Sequence, residues 1–178
     1  QYIYSIMLFT LFVENVSLFS QFYIIMHMNR NKAVMKDCAQ QVQYTRNEEM
    51  LHAQVGIKLI NTLREEYPEY FDDELVARVK EECIEALKAE SKVIDWIMGD
   101  YETKGLSAGI LKSFIAKRMA DSLDQIGFDN SEIIYNQDDI DQTFWFDEEL
   151  LGANMTDFFQ KRPVEYAKGQ GITADDLF

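Results

Sequence analysis

Apolar residues dominate positions 2–28, where YIYSIMLFTLFVENVSLFSQFYIIMHM is broken near its middle by Glu14 and Asn15. The longest stretch free of strongly polar residues runs from Tyr2 to Val13, too short to cross a bilayer. A carboxylate near the centre of a span costs roughly 2.5–3.5 kcal/mol on insertion scales. The segment therefore reads as one buried central helix of a bundle rather than a membrane anchor. Thr10, Glu14, Ser17 and Gln21 fall at i, i+4, i+7 and i+11, a polar stripe on an apolar cylinder. A buried carboxylate on that stripe needs a partner or a metal ion, because its desolvation is otherwise uncompensated. A stripe of core hydrogen bonds is the alternative.

Asn29-Arg30-Asn31 has turn character, and a second long helix is expected from about Lys32 to Tyr67, ending before Pro68. Thr45, Glu49, His52 and Gly56 share one of its faces. Asp72 or Asp73 is placed to cap a third helix reaching about Tyr101. Its Glu81, Glu82, Glu85, Lys88, Glu90 and Lys92 read as a solvated face. A loop follows over 99–105, then a fourth helix from about Ser107 to Ile126, stopped by Gly127. The acidic, aromatic segment 128–152, with Phe144-Trp145-Phe146, is expected to lie on the bundle as an irregular strap. The pattern decays from Ala153, and residues 153–178 read as a mobile tail. The whole is an all-α chain: a helical bundle over 1–152 followed by that tail.

Composition agrees. Only 8 Gly and 2 Pro occur in 178 residues, and 47% of the chain is apolar, enough for a substantial core. The net charge of −14 argues against nucleic acid as a direct partner, since a phosphate-binding surface is basic. Cys38 and Cys83 form no Cys-x-x-Cys and read as reduced thiols of a cytoplasmic protein. His27 has Ile24, not Glu, three residues before it and reads as a surface or helix-end histidine.

The candidate chemistry lies in Glu49-Met50-Leu51-His52. Glutamate and histidine three apart share a helix face, and Glu-x-x-His pairs of this kind ligate two metal ions in ferritin-like bundles. Glu14 lies about as far before the expected turn as Glu49 lies after it, so antiparallel packing brings the two to one level.

Three places together resemble the small, radical-generating subunit of class I ribonucleotide reductase. They are Glu14 with Glu49-x-x-His52, the late segment Asp157-Phe158-Phe159-Gln160-Lys161-Arg162-Pro163-Val164-Glu165-Tyr166, and the ending Asp175-Asp176-Leu177-Phe178. The resemblance implies a ferritin-like fold, with Glu14, Glu49 and His52 as ligands of two metal ions, iron or manganese. It implies Tyr166 as radical relay, and Asp175, Asp176, Leu177 and Phe178 as the part that docks on a large catalytic subunit. Family members are roughly twice as long, and their first half carries further ligands. The chain is thus expected to correspond to the C-terminal half, as a fragment or a split-gene product. An N-terminal partner would complete the bundle, and the completed small subunit would dimerise. Glu48 stands where the family usually has an aspartate beside the ligand glutamate, and a role behind the ligands is implied for it. A ferritin-like metal-storage protein and a metal-free helical interaction module are the competing readings.

Overall fold

The computed structural model describes residues 1–148, and those residues are helical throughout, apart from their connections and one isolated bridge between Thr103 and Leu106. The helices are α1 (Tyr2–Leu8), α2 (Phe19–Lys32), α3 (Lys36–Glu66), α4 (Asp73–Met98), α5 (Ala108–Gln125) and α6 (Gln137–Asp141). A π-helical turn, Phe9–Val13, follows α1, and a short 3-10 turn, Pro68–Tyr70, follows α3. The α1 segment packs against α3 and α4, α2 against α3 and α5, α4 against α5, and α6 against α5. No described helix is long and apolar enough to cross a membrane.

The first helix is not continuous. The amide of Glu14 donates to Phe9 O at 3.0 Å and that of Ser17 to Phe12 O at 2.8 Å, both five residues back. Leu18 then adopts a left-handed conformation, φ 71°, before α2 begins. The extra residue in the π turn rotates everything after it. Thr10 and Glu14 are buried, Thr10 against α3, but Ser20 and Gln21 are turned toward α4. The single stripe Thr10–Glu14–Ser17–Gln21 is thereby split between two neighbours.

The turn after α2 also lies later than expected. Asn29 and Asn31 stay on α2, where Asn29 Nδ2 donates to Val34 O and Asn31 Nδ2 to His27 O. The chain reverses at Ala33 and Met35, both with positive φ. Asn29 Nδ2 thus ties the helix to the reversing segment and Asn31 Nδ2 bonds back one turn along α2, so both side chains are engaged with a helix that continues past them. α3 then runs for 31 residues, about 46 Å.

α4 starts as expected, with Asp72 Oδ1 accepting from Leu75 N at 2.8 Å, and ends at Met98, three residues before the expected Tyr101, with Gly99 as its C-cap. α5 starts with Ser107 Oγ accepting from Ile110 N, and Gly127 follows it at φ 71°. α5, not the first helix, is the most enclosed element. Ile110, Leu111, Phe114, Ile115, Met119 and Leu123 are all buried on it.

Two polar residues expected at the surface are inside. Glu90 is buried on α4, where its Oε1 accepts from Ser20 Oγ at 2.9 Å and Gln21 Nε2 at 3.1 Å. It lies seven residues after Cys83 and four before Ile94, on the apolar stripe of α4 and not on the charged face. His27 is buried between α2 and the 103–106 loop, with Nε2 3.1 Å from Lys104 O.

Of the irregular strap expected over 128–152, residues 128–148 are described; they lie on the bundle but are partly helical, with α6 and a helical turn over 144–148. Phe128, Ile140 and Phe146 are buried. Phe146 meets Phe19, Phe114 and Tyr23, and its carbonyl accepts from Arg46 Nη1 at 2.7 Å. Arg46 itself is completely buried, its guanidinium 4.6 Å from the Phe146 ring. Trp145 Nε1 donates to Tyr23 Oη at 3.1 Å, and that hydroxyl donates to Gly105 O at 2.9 Å. Burial pushes the Tyr23 hydroxyl up to about 12.

Candidate metal centre

Glu14, Glu49 and His52 converge. His52 Nδ1 lies 3.3 Å from Glu14 Oε2 and 3.5 Å from Glu49 Oε2. One ligand atom from each of the three can be chosen so that all lie within 4.8 Å of one another. Among the described residues no other group of three such side chains does this.

Three local features produce the convergence. The π turn carries Glu14 to the α3 side. Gly56, one helical turn beyond His52, lets Thr10 approach α3, because a Cβ at position 56 would overlap the Thr10 side chain. The Glu-x-x-His spacing puts Glu49 and His52 on the same face of α3. The late turn does not spoil the register. Glu14 lies 20 residues before Val34 and His52 lies 18 after it, so the two still meet at one height.

The electrostatics suit a cation. The Glu49 carboxylate, hydrogen-bonded to Glu14, is the main cause holding the Glu14 carboxyl above its ordinary value, and burial adds to this. His52 works in the opposite direction. Two carboxylates placed so close repel one another's charge, and a cation between them offsets that repulsion. Two carboxylates with one imidazole form an oxygen-rich donor set that suits iron or manganese. The three residues therefore fit the metal role expected of them.

The set is open on one side. The Glu14 side chain is only 11% exposed, but that of His52 is 59% exposed. Around it, Phe9 and Val13 of the π turn and Leu51, Val55 and Leu59 of α3 are exposed apolar side chains. Leu51, Val55 and Leu59 are spaced by four, an apolar ridge along α3 with no described element against it.

The other expected site residues do not join this cluster. Glu48 is exposed and has no hydrogen bond or ion pair among the described residues. Tyr166, Asp175, Asp176, Leu177 and Phe178 lie outside the described residues, as does the whole of 153–178. Sequence reasoning missed Arg118 on α5, whose guanidinium hydrogen-bonds Asn15, next to Glu14. Asn15, polar amid an apolar run, was the signal that something must meet it.

A family model described as ribonucleotide reductase, small chain, matches residues 1–142. The chain is 29% identical over 173 residues to the probable ribonucleoside-diphosphate reductase small subunit 048L of Invertebrate iridescent virus 3. That alignment covers 96% of this chain and 44% of the viral protein, so the chain spans less than half the length of this relative. A helical bundle that brings a lone glutamate against a Glu-x-x-His pair, matched by that family model over most of its length, places the chain in the ribonucleotide reductase small-chain family.

Proposed function

We propose that the chain supplies one side of a two-metal carboxylate centre and serves as part of a ribonucleotide reductase small subunit. The observation that carries this is the open ligand set: Glu14, Glu49 and His52 gathered on one wall, flanked by an uncovered apolar ridge. Bundles of this kind use six ligands, a glutamate from each of two helices and a Glu-x-x-His from each of two more. The described residues offer three of them. A further pair of helices would bury Leu51, Val55 and Leu59 and bring the remaining three ligands. That pair belongs to an N-terminal half of the small subunit, either continuous with this chain or a separate partner.

Iron or manganese bound there would supply one-electron oxidising power. This chain's own residues hold and orient it. Glu14 and Glu49 would provide carboxylate oxygens to the ions, and His52 an imidazole nitrogen. Glu48 would act behind these ligands once the site is covered. Tyr166 passes the oxidising equivalent toward a large catalytic subunit, and Asp175, Asp176, Leu177 and Phe178 dock there. Burying the last two side chains is worth roughly 1.5–3 kcal/mol each before the ordering cost of the backbone. The substrate is a ribonucleoside diphosphate, the class named for the viral relative. The completed small subunit dimerises and works in the cytoplasm.

The test is metal analysis of the chain with and without an N-terminal partner. Glu14→Ala and His52→Ala are each expected to abolish metal loading of the completed assembly. The isolated chain, with three ligands, is expected to bind no more than one ion. Stoichiometric uptake of two irons by the isolated chain, or full metal content in His52→Ala, refutes the proposal. Tyr166→Phe is expected to end nucleotide reduction while metal content stays unchanged, because phenylalanine keeps the ring but has no hydroxyl to give up.

A further inference from the structure

The backbone between Glu14 and Phe19 lies outside the regular hydrogen-bond ladder of either helix. The amide of Val16 donates to Phe12 O, that of Ser17 also to Phe12 O, and that of Phe19 to Val16 O. No backbone amide takes up the carbonyl of Asn15. Leu18, a γ-branched residue without glycine's freedom, is held at φ 71°. Something must stabilise this segment, and what meets it is α5.

Arg118 Nε donates to Asn15 O at 2.7 Å, and Arg118 Nη2 donates to Asn15 Oδ1 at 2.8 Å. Asn15 Nδ2 in turn donates to Ser122 Oγ, one turn along α5, and Ser122 Oγ donates to Arg118 O. The guanidinium lies 3.6 Å from the Phe19 ring centroid, at the start of α2, and 3.8 Å from Asp147 Oδ1 on the strap. Its side chain is only 12% exposed. One side chain thus grips the residue after Glu14 and covers the first residue of the helix beyond the break.

The geometry points to Arg118 as the positioning residue for Glu14. It fills one of the backbone acceptors that the break leaves without an amide and fixes Asn15 against α5, a helix that contributes no ligand. The adjacent Glu14 carboxylate is thereby aimed at α3. If the segment relaxed into continuous α-helix, the one-residue difference would turn Glu14 by about 100° relative to the anchored α2. The carboxylate would then leave Glu49 and His52. Arg118 touches no ligand atom and acts only through Asn15.

The inference rests on Glu14, Glu49 and His52 being a metal-binding set, so its test includes a control for that reading. The full chain is titrated with cobalt(II) alone, followed by its visible absorption, in the parent protein and in Arg118→Ala, Asn15→Ala and His52→Ala. Amide hydrogen exchange at residues 14–19 is measured on the metal-free chains. Loss of Arg118 is expected to weaken cobalt binding about 10–100-fold, the usual range for a group that orients a ligand from behind. It is also expected to speed exchange at residues 14–19 without loss of helix by circular dichroism. Millimolar guanidinium is expected to restore part of the affinity in Arg118→Ala but none in His52→Ala, an effect that a general loss of packing does not produce. Should Arg118→Ala fail to fold, Asn15→Ala carries the test, since it removes two of the three bonds and keeps the guanidinium against Phe19. Unchanged affinity and exchange in both Arg118→Ala and Asn15→Ala, with binding lost in His52→Ala, overturn the inference alone. Unchanged binding in His52→Ala overturns the metal reading, and the inference falls with it.

Discussion

Gly56→Ala sets two known effects against each other at the helix crossing that builds the site. Alanine in place of glycine inside a helix such as α3 ordinarily stabilises by about 0.8–1.0 kcal/mol. Here the new methyl would lie 2.9 Å from Thr10 Cβ and closer still to both γ atoms of Thr10. A rotamer change of Thr10 moves the γ atoms but leaves its Cβ in place, so the π turn and α3 must separate. Overpacking of this kind costs about 1–3 kcal/mol. The steric term matches or exceeds the propensity term, and Gly56→Ala is expected to lose up to about 2 kcal/mol net. For a chain of this size that is a fall in Tm of up to about 8 °C. Separation also moves Glu14 from His52, so cobalt(II) affinity is expected to drop in the same variant. Urea denaturation of Gly56→Ala, Thr10→Ala and the double variant gives the coupling directly. Removing the γ atoms of Thr10 relieves most of the overlap, so the double variant is expected to recover at least about 1 kcal/mol against additivity. A Gly56→Ala protein more stable than the parent, by the helix-propensity amount, would refute the close approach and with it the account of how Glu14 reaches α3.

Other expectations follow from the interior. Burial pushes the Cys83 thiol up to about 12, while Cys38 is exposed, so Ellman's reagent should find one reactive thiol in the native chain and two after denaturation; two in the native chain contradict the core assignment. Burial, with Lys32 and Arg30 adding to it, holds the His27 imidazole below its ordinary value despite the Lys104 carbonyl. The unfolded chain therefore binds that proton more readily, and the stability due to neutral His27 is fully present above about pH 6.5 and is lost as the pH falls through the folded value. A His27 ring-proton titration by NMR with a midpoint at or above that of an exposed histidine would contradict this. Glu90→Ala strips the acceptor from Ser20 Oγ and Gln21 Nε2 inside the bundle and should cost about 1–3 kcal/mol by denaturation. Glu85→Ala, on the exposed face of the same helix, should stay within about 0.5 kcal/mol, and equal losses would remove the distinction between the two faces.

Local patterns in the chain were sufficient for much of the architecture. Periodic apolar positions, Asp72 as a cap and Gly127 as a stop are short-range signals, and α3, α4 and α5 begin and end within a few residues of where those signals place them. The Glu49–His52 pair was legible for the same reason, since helical spacing alone puts both on one face. The pairing with Glu14 could be reached by counting residues to a turn, because a shift of a few residues moves the level by only about 1.5 Å each.

Tertiary contacts decided the rest. The π turn at Phe9–Val13 and the left-handed Leu18 have no glycine or proline to announce them. The group that meets one of the carbonyls the break leaves without an amide is Arg118, a hundred residues away in the chain. Glu90 shares its helix with a row of solvated acids, and only the arrival of Ser20 and Gln21 from α2 makes its burial tolerable. Arg46 and His27 are of residue types usually found outside, and each is held inside by a main-chain oxygen from a distant segment, Phe146 O and Lys104 O. A helix records its own periodicity in its sequence, but the partner that offsets the desolvation of a buried polar group lies elsewhere in the chain and is met only when the chain folds.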